Sequence, residues 1–146
     1  MVRPMEQRDR QTYLRLSGQF YASEAVAHAV PAEYFERTFA EMMRSNAYVQ
    51  GYVLEEAGVP AGYALLSRTF SAEAGGQVVW IEELYVTPDY QGRGLGSAFF
   101  RYLQEHLPEG VTRLRLEVAP DNEQARELYL RKGFTPLPYE QMVREL

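Results

Sequence analysis

Glycines at alternate positions between two regular elements narrow what this chain can fold into more than any other feature. In "LYVTPDYQGRGLGSAFF", which begins at Leu84, Gly92, Gly94 and Gly96 separate an apolar, strand-like run from an aromatic, helix-like one. Glycine weakens the interior of helices and strands, so a cluster at a boundary marks an unusual backbone path or a close approach to another group. Backbone N–H groups at a helix start can point at an anion when no side chain stands in the way. Phosphate is the natural visitor to such a place.

Three phosphate-binding patterns compete. A P-loop needs a lysine between its last glycine and the following hydroxyl residue, and here Ser97 follows Gly96 directly. The dinucleotide fingerprint is approximated by Gly92, Gly94 and Ser97. Its turn would be overlong, however, and it comes late in the chain instead of opening a βαβ half. The third pattern is Gln91-x-x-Gly94-x-Gly96, a pyrophosphate cradle that opens a helix. A glycine-rich start that serves packing alone is the structural alternative.

The hydrophobic pattern around that segment gives the order β, αα, βββ, α, β, α, β. A short strand over residues 2–5 opens the chain. Tyr13, Leu16 and Phe20 recur at helical spacing, placing a first helix over about residues 7–21. Phe35, Phe39, Met42 and Met43 predict a second, with Pro31 suited to its first turn. Two β-rich runs flank residues 55–58 as a hairpin, and residues 74–76 make the next turn. Residues 78–86 form a third strand of that group, whose apolar start suits burial on both faces. Helical period resumes at Leu95 and ends at Pro108 and Gly110. Leu114, Leu116 and Val118 alternate onto one strand face. Asp121 or Asn122 can cap a helix running to about Lys132, with Gly133 beyond its end. "LPYEQMVREL" supplies a last strand. The expected fold is one α/β domain over residues 1–146. Its mixed sheet has about six to seven strands, flanked by about four helices.

Composition removes several function classes. The chain of 146 residues has no cysteine, which excludes a disulfide scaffold, a thiolate metal site and an acyl-cysteine intermediate. His28 and His106 are the only histidines, too few to suggest a metal centre, so no metal is expected. A net charge of −5 disfavours nucleic acid and anionic membrane and mildly favours a cationic small molecule. No signal peptide is legible, and no apolar run approaches the ~18 residues of a membrane-spanning helix. The cytoplasm is the expected location.

With "QGRGLG" and "LEVAPDNEQARELYLRKGF" in view, the chain resembles the GCN5-related N-acetyltransferase family. The first stretch matches the family's Arg/Gln-x-x-Gly-x-Gly/Ala loop. The second carries Asn122, Ala125, Tyr129, Gly133 and Phe134 at the family's spacing. Together the motifs cover roughly residues 78–134, in the family's order. The resemblance implies acetyl-CoA as co-substrate, held by Gln91, Gly92, Arg93, Gly94, Gly96 and Ser97 at its pyrophosphate. Leu84, Tyr85 and Val86 would pair with its pantetheine arm as an added strand would. Arg93 can reach the phosphates or remain a solvated surface cation. Asn122 can touch the pantetheine, cap the helix, or do both.

Acetyl transfer to an amine needs a base for the amine proton, stabilisation of the carbonyl oxygen, and a proton for the leaving thiolate. Tyr129 occupies the family's tyrosine position and is the candidate acid, although it would also suit an ordinary buried helix face. Glu82 and Glu83 interrupt an apolar strand, where a carboxylate is costly enough that function explains at least one of them. They stand where the family's polyamine acetyltransferases carry an acidic pair. Glu82 is favoured as base and Glu83 as substrate contact, with the reverse left open. His28 lies where relatives build the acceptor wall, or is a plain loop residue; Tyr139 lines the core or the cleft. The leading expectation is transfer to a small, cationic primary amine by direct attack in a ternary complex. A protein or peptide amine, or a non-catalytic acyl-CoA-binding module, is the alternative. Members of the family often form dimers, which makes a homodimer an expected state.

Overall fold

Two helices, one sheet and a further pair of helices sort their apolar residues into three layers in the computed structural model, which describes residues 1–146. The order is β1 (Val2–Pro4), a 3-10 turn (Gln7–Asp9), α1 (Arg10–Tyr21), α2 (Glu33–Arg44), β2 (Val49–Glu56) and β3 (Val59–Ser71). There follow β4 (Gly76–Val86), a 3-10 turn (Pro88–Tyr90), α3 (Leu95–Glu105), β5 (Val111–Leu116) and α4 (Glu123–Arg131). The sheet runs β1-β2-β3-β4-β5; every neighbouring pair is antiparallel except β4 with β5, which is parallel.

Alternation along β3 feeds both faces, as a period of two requires. Tyr63 and Leu65 join Tyr13, Leu16, Phe20, Phe39 and Met42 beneath α1 and α2. Ala64 and Leu66 join Val79, Ile81, Leu95, Phe99 and Leu103 beneath α3. Leu16 and Phe99 are fully buried, each contributing roughly 1.5–3 kcal/mol. Arg3 ties β1 to its surroundings, donating to both Asp9 oxygens at 2.8 and 2.9 Å and to Glu55 Oε1 at 2.9 Å.

The sheet has five strands, fewer than the six to seven expected. The difference lies at the C-terminus, where residues 135–146 form no strand. Pro136 and Pro138 lack the N–H groups that a ladder needs and bias their predecessors to extended, unpaired backbone. Met142, Val143 and Leu146 are exposed there, and β5 has β4 as its only neighbour. Two smaller differences concern ends: Val118 lies beyond β5, and Pro31 stands ahead of α2.

Two irregularities shape β4. Opposite β3, Leu65 pairs with Glu83 and Leu66 with Ile81, so Glu82 is the extra residue of a β-bulge. The bulge changes which face each later side chain takes. Val79 and Ile81 pack on the α3 side, as do Leu84 and Val86. Glu83 and Tyr85 are thereby turned toward α1. On the other edge, the ladder with β5 ends at Ile81–Leu116, while β4 runs on to Val86.

Gly62 fixes the free end of β4 against β3. It pairs with Val86, and a Cβ built on it would stand 2.2 Å from the carbonyl oxygen of Tyr85. Backbone cannot yield as a flexible side chain does. Gly62→Ala is therefore expected to cost about 1–3 kcal/mol. Thermal unfolding of the purified variant should show a Tm several degrees below that of the parent chain; an unchanged Tm would mean that this contact is not tight.

Candidate active site

Where β4 and β5 part, a cavity of about 850 Å³ opens. Leu84, Tyr85 and Val86 form one wall, the start of α3 a second, and α4 from Asn122 to Tyr129 a third. Ser23, Glu24 and Ala25, just beyond α1, close the rim.

The glycine segment forms the cavity's polar end. Gly92 and Gly94 adopt φ of 76° and 81°, the left-handed region that glycine enters without strain. Gly96 lies within the first turn of α3. The first bond of the helix runs from Ala98 N–H to the Gly94 carbonyl at 2.9 Å, and no backbone carbonyl takes up the N–H groups of residues 92–97. Consecutive N–H groups at the positive end of a helix form an anion site. Gln91 pins this turn to the strand, its Nε2 donating to the Val86 carbonyl at 3.0 Å. Gly92, Gly94, Gly96 and Ser97 line the cavity. Arg93 does not; its guanidinium donates to Glu56 at 3.0 Å and lies 5.0 Å from the Tyr90 ring centroid.

On α4, Asn122, Ala125 and Tyr129 follow one another along the cavity wall. Asn122 caps the helix, its Oδ1 accepting from Ala125 N–H at 3.2 Å, so of the two capping candidates it is Asn122 that acts. Phe100 and Phe134 hold the Tyr129 ring at centroid distances of 6.0 and 6.1 Å. Burial pushes its phenol above the ordinary tyrosine value and keeps the proton on at neutral pH.

The bulge sends Glu82 and Glu83 to unlike environments. Glu82 is exposed and accepts a hydrogen bond from Ser67 Oγ. Glu83 is buried and accepts from Tyr21 Oη at one oxygen and Tyr63 Oη at the other, both at 2.6 Å. Burial raises its pKa above the usual carboxylate value. The two phenol donors pull the other way, and the charge of Glu82 adds to the rise.

Five expected site residues do not line the cavity: Glu82, Glu83 and Arg93, described above, and His28 and Tyr139. His28 is exposed in the α1–α2 connection. Tyr139 donates to Glu73 at 2.8 Å, beside the β3–β4 turn and so at the opposite end of β4. Sequence reading had not picked out Tyr21 and Tyr63, whose partner is 62 and 20 residues away. A buried tyrosine hydroxyl needs a partner, but nothing in local spacing says which. No group of three or more His, Asp or Glu side chains is placed to hold a metal ion, and no helix is long and apolar enough to cross a membrane.

Residues 12–134 match the model of the acetyltransferase (GNAT) family. The chain is 29% identical over 130 residues to the thialysine N-epsilon-acetyltransferase of Bos taurus, covering 86% of this chain and 72% of that protein. It is 35% identical over 115 residues to the ribosomal protein bS18-alanine N-acetyltransferase of Escherichia coli, covering 78% and 71%. Among solved structures, AAC(6')-Iy in complex with a CoA-containing bisubstrate analogue has the same fold. Its TM-score is 0.83 at 17% identity, over 100% of this chain and 97% of that one. The chain thus belongs to the acetyltransferase (GNAT) family and is an N-acetyltransferase.

Proposed function

We propose that the protein transfers the acetyl group of acetyl-CoA to a primary amine of a small, cationic molecule, by direct attack of the amine in a ternary complex. One observation carries the reading. The N–H groups of residues 92–97 have no backbone partner and stand beside a cavity of about 850 Å³, large enough for an extended ligand. A diphosphate suits such a cradle in charge and in number of acceptors. Leu84, Tyr85 and Val86 offer a strand edge that β5 has left, suited to the amide-bearing arm of CoA. Acetyl-CoA supplies an activated thioester, so the chain's own residues need only orient it and move protons.

Tyr129 is proposed as the acid, since its raised pKa keeps a proton available for a departing thiolate. Burial favours Glu83 over Glu82 as the base, the reverse of the roles favoured from the sequence. An alkylamine with a pKa near ~10.4 arrives protonated, and a base whose own pKa is raised takes that proton more readily. Glu82, exposed on the same strand, is left to draw the ammonium in. His28 and Tyr139 take no part in this scheme. Acetyl-CoA as co-substrate fits the cytoplasm.

A peptide amine is the second reading, supported by the 35% identity to an enzyme named for a ribosomal-protein alanine. A free-thiol release assay with acetyl-CoA separates the two. Polyamines and basic amino acids should be acetylated in preference to short peptides; preference for peptides would install the second reading, and preference for neutral or anionic amines would contradict the cationic one.

Gly94→Val should abolish thermal stabilisation by acetyl-CoA while far-UV CD stays native, because valine resists a φ of 81°. A folded variant with unchanged CoA affinity would sink the cradle assignment. Tyr129→Phe removes only the hydroxyl and should lower kcat by ~10²–10⁴-fold, with little change in the KM for acetyl-CoA. Parental kcat in that variant would make Tyr129 a packing residue.

A further inference from the structure

Both oxygens of Glu83 are already engaged, and the two tyrosines that engage them differ. Tyr63 is wholly buried in the middle of β3, with Tyr13 and Phe20 edge-on to its ring. Tyr21 is the last residue of α1 and is only half-buried. Phe20 and Phe35 hold its ring at centroid distances of 5.1 and 5.5 Å, which fixes the phenol over the carboxylate. The chain then continues directly into Ser23, Glu24 and Ala25 at the cavity rim. Tyr85, two residues beyond Glu83 on the same face of β4, lines that cavity as well. Of the two groups bonded to Glu83, Tyr21 is therefore the partly exposed one, two residues from the cavity rim, whereas Tyr63 is sealed in the core.

We propose that Tyr21 is the route by which the proton of the acceptor amine reaches Glu83, and this rests on Glu83 being the base of the reaction proposed above. A lone pair on Tyr21 Oη takes the proton from the ammonium, directly or through one water. The proton already on Oη moves along its 2.6 Å hydrogen bond to Glu83 Oε1. One N–H bond and one O–H bond break; one O–H bond forms on Tyr21 and one on Glu83. The amine ends neutral, Tyr21 ends as it began, and Glu83 ends protonated.

Concerted movement matters because a free phenolate is strongly opposed here. Burial and the adjacent carboxylate hold the Tyr21 pKa above the ordinary tyrosine value. The relay never places a charge on it. The titratable groups around Glu83 are Tyr13 and Tyr21 of α1, Tyr63 of β3, and Glu82 and Tyr85 of β4; Arg15 of α1 bears on Tyr85. None of these tyrosines ionises near neutrality, so the acidic limb belongs to a carboxylate, and Glu83 is the one bonded to Tyr21.

Tyr21→Phe and Tyr63→Phe separate a relay from mere support. Each removes one hydrogen bond to the carboxylate and keeps the ring. Each should therefore raise the Glu83 pKa, read by ¹³C titration of its carboxyl in the free protein. Each should also move the acidic limb of kcat/KM to higher pH. Support alone predicts matching behaviour. The relay predicts that Tyr21→Phe also lowers the plateau above that limb by about tenfold or more, while Tyr63→Phe leaves it within about twofold. The acceptor is the best amine of the thiol-release panel, and far-UV CD confirms folding. Equal plateaus in the two variants overturn the relay, and loss of the limb in Glu83→Gln would then still keep Glu83 as base. An unchanged profile in Glu83→Gln overturns the base assignment and the relay with it.

Discussion

The parting of β4 from β5 after the Ile81–Leu116 pair is the constraint on which the rest of this structure depends. Parallel neighbours cannot be joined by a tight turn, so the chain must leave the C-terminal end of β4 and return through a crossover. That crossover is α3, and its N-terminus falls beside the strand end from which it springs. Because β5 ends at Leu116 while β4 continues, the same place also holds a strand edge without a partner. α4 then packs back across the gap and closes it into a cavity. Helix dipole, free strand edge and enclosing wall are thus consequences of one topological event.

The second organising feature is the bulge at Glu82. Without it, Glu83 would share a face with Val79 and Ile81, in the apolar layer beneath α3. One extra residue sends it instead to the α1 side, where two phenols are waiting. An anion site made of backbone N–H groups and a buried carboxylate are thereby set on either side of one strand end. That placement is what the proposed transfer from an anionic carrier to a cationic acceptor would use. A bulge at this point is a local kink in the ladder, and its effect is to re-aim the Glu83 side chain.

Much of this was legible in the sequence because it is encoded locally. The glycine turn, the helix that follows, the alternation of Leu114 and Leu116, and the Asn122 cap each depend on residues a few positions apart. The strand count was not. Residues 135–146 have a strand-like composition, yet two prolines withhold the donors that a ladder uses, and no ladder forms. The environments of Glu82 and Glu83 were illegible for a different reason. Which carboxylate is buried depends on register against β3, and register is a property of the pair of strands. Tyr21 and Tyr63 converge on Glu83 from elements far apart in sequence, so no spacing rule announces them.

In the proposed reaction, the N–H groups of residues 92–97 bind the diphosphate of CoA. The most direct measurement is a ¹H–¹⁵N titration of the full chain with CoA, with pantetheine, which lacks the diphosphate, as the comparison. CoA should shift the amides of residues 92–97 more than any others, and pantetheine should leave them largely unmoved while still perturbing Leu84, Tyr85 and Val86. Saturating CoA that leaves the amides of residues 92–97 in place would contradict this binding.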